Sequence, residues 1–121
     1  MPVKKVLVVD DSATDRAHLQ DVLENQNVTV LTAANGQDAI RIAQAERPDI
    51  IFLDILMSGM DGYAVCRSLR DDEKTRDIPV IFVSSKKNQA DIMWASEQGG
   101  SGYVIKPYAP EEIEKQIQSI F

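Results

Sequence analysis

Apolar residues in this chain come in short unbroken runs, and each run stops on a polar group. Val6-Leu7-Val8-Val9 ends at Asp10-Asp11, and Ile50-Ile51-Phe52-Leu53 ends at Asp54. Val80-Ile81-Phe82-Val83 ends at Ser84-Ser85, and Tyr103-Val104-Ile105 ends at Lys106-Pro107. Runs this short and continuous read as strands buried on both faces, the habit of a parallel sheet. The pattern predicts strands over residues 5–9, 28–32, 50–53, 79–83 and 102–106. The second is interrupted by polar positions and is assigned to an edge.

Helical spacing fills the intervals. Ser12 caps a first helix over 13–25, with Asp15 in its first turn and Leu19, Val22 and Leu23 facing inward. Asn35-Gly36 opens a second helix, with Ala39, Ile40 and Ala43 inward, and Arg47-Pro48-Asp49 stops it. Asp61-Gly62 opens a third that runs to about residue 70. The charged stretch 71–77 reads as a solvated connection, and Pro79 suits a strand start. A fourth helix over about 88–98 closes on Gly99-Gly100. Pro110 suits the first position of a fifth, with Glu111 and Glu112 in its first turn and Ile113, Ile117 and Ile120 inward. Five strand–helix pairs in sequence imply a parallel sheet with right-handed crossovers and helices on both faces.

Composition narrows the class. With 44% hydrophobic residues in 121, the chain has enough apolar material for one core, and it is expected to be one domain with no output domain. No stretch approaches the roughly 18 apolar residues of a membrane span, and the start of the chain reads as strand, not as a signal peptide. A single cysteine, Cys66, cannot pair internally and suits a reducing cytoplasm. A net charge of −6 argues against nucleic acid as a partner.

If the strands run parallel, Asp10, Asp11, Asp54, Ser84 and Lys106 converge beyond one sheet edge, where open α/β sheets place their chemistry. Alone, a strand-end aspartate is usually a cap or turn residue, and a strand-end serine or lysine says less still. Asp54 is harder to dismiss, because a carboxylate among apolar neighbours costs free energy unless compensated. Three clustered carboxylates repel unless a cation sits among them, and oxygen ligands suit Mg²⁺. Lys106 adds a point positive charge and Ser84 a hydroxyl donor for phosphoryl oxygens. Asp54, on the middle strand, is the candidate nucleophile toward an activated phosphoryl group.

VLVVDDS at 6–12, PDIIFLDI at 48–55, MDGY at 60–63, IPVIFVSS at 78–85 and GYVIKPY at 102–108 carry a resemblance. In this order and spacing they resemble the receiver domain of bacterial two-component response regulators, the stand-alone kind typified by the chemotaxis regulator CheY. The resemblance implies a flavodoxin-like (βα)5 fold, doubly wound, with strand order 2-1-3-4-5. It implies that Asp54 accepts a phosphoryl group from a sensor histidine kinase or phosphotransfer protein. It further implies that Asp11, Asp54 and the Leu56 backbone carbonyl ligate Mg²⁺, with Asp10 helping through water. Ser84 and Lys106 would bind the phosphoryl oxygens, Tyr103 would turn inward as a switch with Ser84, and the Lys106–Pro107 bond would be cis. Output is expected on the face of the fourth helix, fifth strand and fifth helix, toward a target protein. The chain is then a signalling switch whose only catalysis is its own phosphorylation and dephosphorylation. It would be monomeric, or a weak dimer when phosphorylated.

Some positions depart from the family pattern. Ser58 replaces a usual proline, with a looser loop expected, and Gly99-Gly100 replaces the commoner Gly-Ala, with a mobile approach to the fifth strand expected. Leu56 and Lys86 occupy positions that tune dephosphorylation in the family; leucine cannot hydrogen-bond a water, so slow self-dephosphorylation is expected. The fourth helix is apolar on two sides, Ile92 and Ala95 on one, Ala90, Met93 and Trp94 on the other. Its Met-Trp pair resembles the twitching-motility regulators PilG and PilH of type IV pili. His18 reads as a helix-surface residue and Cys66 as a small packed side chain. Three other readings compete. A flavodoxin-like electron carrier needs a Ser/Thr/Gly-rich phosphate loop where Asp10-Asp11 stands, and an aspartyl phosphatase needs a D-x-D spacing that is missing. A phosphorylation-independent module, or a phosphate sink or relay, remains on the same fold.

Overall fold

The computed structural model describes residues 3–120; Met1 and Pro2, at the start of the stretch read for a signal peptide, lie outside them. The chain alternates β1 (Lys5–Val9), α1 (Ala13–Glu24), β2 (Thr29–Ala33), α2 (Gly36–Glu46), β3 (Ile50–Leu53), α3 (Gly62–Asp71), β4 (Val80–Ser84), α4 (Gln89–Glu97), β5 (Gly102–Ile105) and α5 (Pro110–Ile120). All pairings are parallel, in the order β2-β1-β3-β4-β5. The expected flavodoxin-like topology and the edge placement of β2 are both observed. β2 runs one residue later than the sequence pattern predicts. Asn27 turns the chain at φ 61, and the amide of Thr29 donates to the carbonyl of Lys4 at 2.8 Å, which sets Thr29 opposite Lys5.

Strand alternation divides the apolar runs between two cores. Leu7, Val9, Ile51, Leu53, Val80 and Phe82 face the side covered by α2, α3 and α4. Val6, Val8, Ile50, Phe52, Ile81 and Val83 face α1 and α5, where Leu19, Val22, Leu23 and Ile113 are buried. Ile117 and Ile120 are partly buried against that second core.

The helix ends follow the capping chemistry of the sequence. Ser12, Asn35 and Asp61 each accept a hydrogen bond from the amide three residues on, at 3.3, 2.8 and 2.9 Å. α4 ends in a Schellman arrangement: Gly99 has φ 103, and the Gly100 amide donates to the Ala95 carbonyl at 3.0 Å.

Where a mobile approach to β5 is expected, a side chain grips the chain at Gly99. The Arg70 guanidinium, on α3, donates twice to the Gly99 carbonyl, at 2.7 and 3.0 Å, and once each to the carbonyls of Ile78 and Arg76. Gly100 is small for a different reason, since a Cβ there would lie 2.8 Å from the Phe82 ring.

Candidate functional site

The sheet ladder continues one residue past the strands and thereby places the acids. The Asp10 amide donates to the Ala33 carbonyl at 3.2 Å, the Asp54 amide to Val9 at 3.0 Å, and the Lys106 amide to Ser84 at 2.9 Å. Side chains leaving these positions meet above the carboxyl edge of the sheet. Oxygens of Asp10, Asp11 and Asp54 lie within 4.8 Å of one another.

Asp10 and Asp54 are buried, at 5% and 7% exposure, while Asp11 is exposed at the mouth of the site. Lys106 Nζ donates to Asp10 Oδ2 at 2.7 Å and to Asp15 Oδ2 at 2.8 Å, and stands 3.6 Å from Asp54 Oδ2. Asp54 Oδ1 accepts from the Ile55 amide at 2.8 Å. The Arg16 guanidinium donates to the Asp10 carbonyl at 2.7 Å, and the Ser12 amide donates to Asp10 Oδ1 at 2.9 Å.

Burial pushes the Asp54 carboxyl up to about 6; the Lys106 charge opposes that rise and the Asp10 charge adds to it. Burial works against the Lys106 ammonium, but its bonds to Asp10 and Asp15 and the charge of Asp54 outweigh that cost and hold it above the ordinary lysine range. The pair is thus an ammonium that stays charged beside a carboxylate that is costly to ionise.

Ser84 is buried at the end of β4, and its Oγ accepts from the Lys86 amide at 3.3 Å. Tyr103 is half-buried against the α4-side core, with its ring centroid 6.4 Å from that of Phe82. Its hydroxyl lies beside Ser84 and donates to the Lys86 carbonyl at 2.7 Å. The switch candidate therefore points inward in this structure, and the Lys106–Pro107 bond is cis, as the resemblance implied. Leu56 carries its side chain outward, at 54% exposure.

Ser58, where a looser loop is expected, makes a backbone bond to the site. Its amide donates to Asp11 Oδ2 at 3.2 Å, a bond that proline, lacking the N–H, could not make.

Asp15 was visible in the sequence only as a first-turn acid. That it turns back onto Lys106 follows from its place at the third position of α1, directly after the Asp10-Asp11 turn. A second omission is Tyr63, whose hydroxyl donates to the Asp91 carbonyl at 3.2 Å and ties α3 to the start of α4. Nothing in its local sequence marks that contact, because it joins residues 28 apart.

The donor set consists of hard oxygen ligands, two of them buried carboxylates, and this matches the preference of Mg²⁺. The residues present fit such an ion.

Against known proteins, residues 6–118 match the response regulator receiver domain family. The chain belongs to that family. It is therefore a receiver-domain protein of two-component signalling. PilH of Pseudomonas aeruginosa is 38% identical over 116 residues, which is 96% of either chain. A probable transcriptional regulator, ycf27 of Cyanophora paradoxa, is 41% identical over 117 residues, 97% of this chain and 48% of that protein. This receiver chain thus spans about half the length of several curated relatives and nearly all of PilH. Among solved structures, chemotaxis protein CheY4 of Vibrio cholerae superposes with a TM-score of 0.92 at 28% identity, covering 98% of this chain and 99% of that one. The receiver domain of the sensor histidine kinase PA1611 from P. aeruginosa, solved with a magnesium ion coordinated in its active-site cleft, gives 0.89 at 26%, covering 97% and 96%. Among the described residues of this receiver, no helix is long and apolar enough to cross a membrane.

Proposed function

We propose that the chain is a phosphorylation-activated switch in which Asp54 accepts a phosphoryl group from a phosphohistidine on a histidine kinase or phosphotransfer protein. The observation that carries this reading is the convergence of Asp10, Asp11 and Asp54 with the Lys106 ammonium 3.6 Å from Asp54. In the step, an oxygen of Asp54 forms a bond to phosphorus as the donor's N–P bond breaks. The imidazole nitrogen leaves with the bonding pair and takes a proton.

Asp10, Asp11, Asp54 and the Leu56 backbone carbonyl would hold Mg²⁺, which supplies neutralising charge for the carboxylates and the incoming phosphoryl oxygens. Lys106 and Ser84 donate to those oxygens. The acids and Lys106 do what positioned charges do in phosphoryl transfer, where most of the catalysis is placement and electrostatics. As Ser84 turns toward the phosphoryl group, its neighbourhood to Tyr103 and the Lys86 amide carries the change to the β4–α4 loop. Phosphorylation then biases a two-state equilibrium that the distant face reads.

That face is α4–β5–α5, and it presents Met93, Trp94 and Ile105 at 60%, 50% and 36% exposure. A protein target docks there on this reading, and the likeness to CheY4 and PilH supports a role in chemotaxis or pilus-based motility. We place the protein in the cytoplasm, acting by protein contact and not by turnover of a metabolite.

The test is intact mass after incubation with acetyl phosphate and Mg²⁺. The native chain is expected to gain one phosphoryl group, and neither Asp54→Asn nor the native chain without Mg²⁺ should gain any. Addition to Asp54→Asn would overturn the assignment of the acceptor.

A further inference from the structure

Lys106 is held by more carboxylate than a phosphoryl site requires. An ammonium has three N–H donors. Two of them are committed, to Asp10 at 2.7 Å and to Asp15 at 2.8 Å, while Asp54 at 3.6 Å stands beyond hydrogen-bond reach. Asp10 belongs to the acidic cluster and keeps the ammonium near Asp54. Asp15 does not belong to it: its carboxylate comes from α1 and holds Lys106 Nζ at 2.8 Å, against 3.6 Å for Asp54.

Asp15 is also well placed to stay there. Its amide donates to Ser12 Oγ at 3.3 Å, so the helix cap fixes its backbone. Its half-exposed side chain stands at the wall of a 330 Å³ cleft, together with Lys106, His18 and Tyr108.

We propose that Asp15 is a positioning residue that draws Lys106 away from Asp54 and so slows phosphorylation. The inference rests on the reading of Asp54 as acceptor given above. For a phosphoryl group to be neutralised at Asp54, an N–H of Lys106 must turn to one of its oxygens. The bond to Asp15 competes directly with that turn, since a charge-assisted bond of this length is among the stronger ones a side chain makes. Once the phosphoryl group is in place, Lys106 leaves Asp15. The acid then stands free on the cleft wall.

The measurement is the second-order rate of phosphorylation by phosphoramidate with Mg²⁺, followed by intact mass, in native chain, Asp15→Asn, Asp15→Glu and Asp21→Asn. Asp15→Asn is expected to react about two- to fivefold faster, the range set by weakening one partly exposed ion pair. Asp15→Glu keeps the charge and the reach, and should stay near the native rate. Asp21→Asn removes the same charge from an exposed site on α1 without touching Lys106, and should also stay near it. Affinity for beryllofluoride, a stand-in for the phosphoryl group on a carboxylate, should rise in Asp15→Asn alone. A rate in Asp15→Asn at or below native, while Asp54→Asn takes no phosphoryl group, would overturn the role of Asp15 and leave the acceptor reading intact. An equal gain in Asp21→Asn would reduce the effect to net charge and overturn it as well. A native chain that takes up no phosphoryl group would instead bring down the acceptor reading, and this inference with it.

Discussion

At the scale of single residues, Asp54 has a titration that stability measurements can see. Unfolded, its carboxyl titrates near 3.8; folded, near 6. Between those values the folded form keeps a proton that the unfolded form has lost. Stability therefore falls as pH rises through the window, and the whole cost is present by about pH 7. Such a shift is worth at most about 3 kcal/mol, and water at the mouth of the site trims it. In EDTA, Asp54→Asn should be about 1–2 kcal/mol more stable than the native chain at pH 7, with the gain gone near pH 4. Urea unfolding at the two pH values checks this. Asp11 offers the complementary case. It is exposed, so Asp11→Asn should leave the metal-free midpoint within about 0.5 kcal/mol of native. The rise in midpoint that the native chain shows on adding Mg²⁺ should shrink or disappear in the variant, because binding stabilises only what it binds. Differential scanning calorimetry with and without Mg²⁺ separates the two.

At the scale of elements, the site depends on α3 resting directly on the loop after β3. Gly62 begins that helix, and a Cβ there would collide with the Asp54 carbonyl and come within 2.8 Å of the Ile55 Cα. Both are backbone, so neither can rotate aside. Gly62→Ala should cost about 2–3 kcal/mol in urea unfolding and should slow phosphorylation at Asp54, because the helix must lift off the acceptor's own peptide. The sequence showed the Asp-Gly pair as a helix start but not this contact. What it did reveal has a common physical origin. Unbroken apolar runs ending in polar groups disclose β1, β3 and β4, because period and burial are local properties of the chain. Caps such as Ser12 are legible for the same reason. The single-residue slip of β2 was hidden because its register is set by Lys4 and Lys5 on another strand. The reach of Asp15 to Lys106 was hidden likewise, spanning 91 positions.

At the scale of the whole molecule, Arg70 joins the end of α3 to the turn six to eight residues on and to Gly99, 29 residues on. One guanidinium satisfies carbonyls from the end of α4 and from the turn before β4, which no local pattern could announce. Arg70→Ala leaves partly buried carbonyls without donors and should lower stability by about 2–3 kcal/mol. Amide exchange at residues 99–102 should accelerate. Arg70→Lys should recover little of either effect, since a single ammonium cannot span the fork that the guanidinium fills.

Helix α4 is accordingly mounted unevenly. Its last turn is bolted to α3 through Arg70, whereas its first turn lacks a side-chain cap at Asn88 and is held at Asp91 by the Tyr63 phenol and the Lys86 ammonium, with the Tyr103 phenol latching Lys86 in the loop before it. A rod pinned at one end and latched at the other can only swing. Met93 and Trp94 lie between the two ends, so a shift of the first turn would move them by a smaller fraction of its travel. The gearing between chemistry and output then resides in a pivot remote from every acid. On the reading of Asp54 as acceptor, a chain without that pivot should still take up a phosphoryl group and pass on little of any shift.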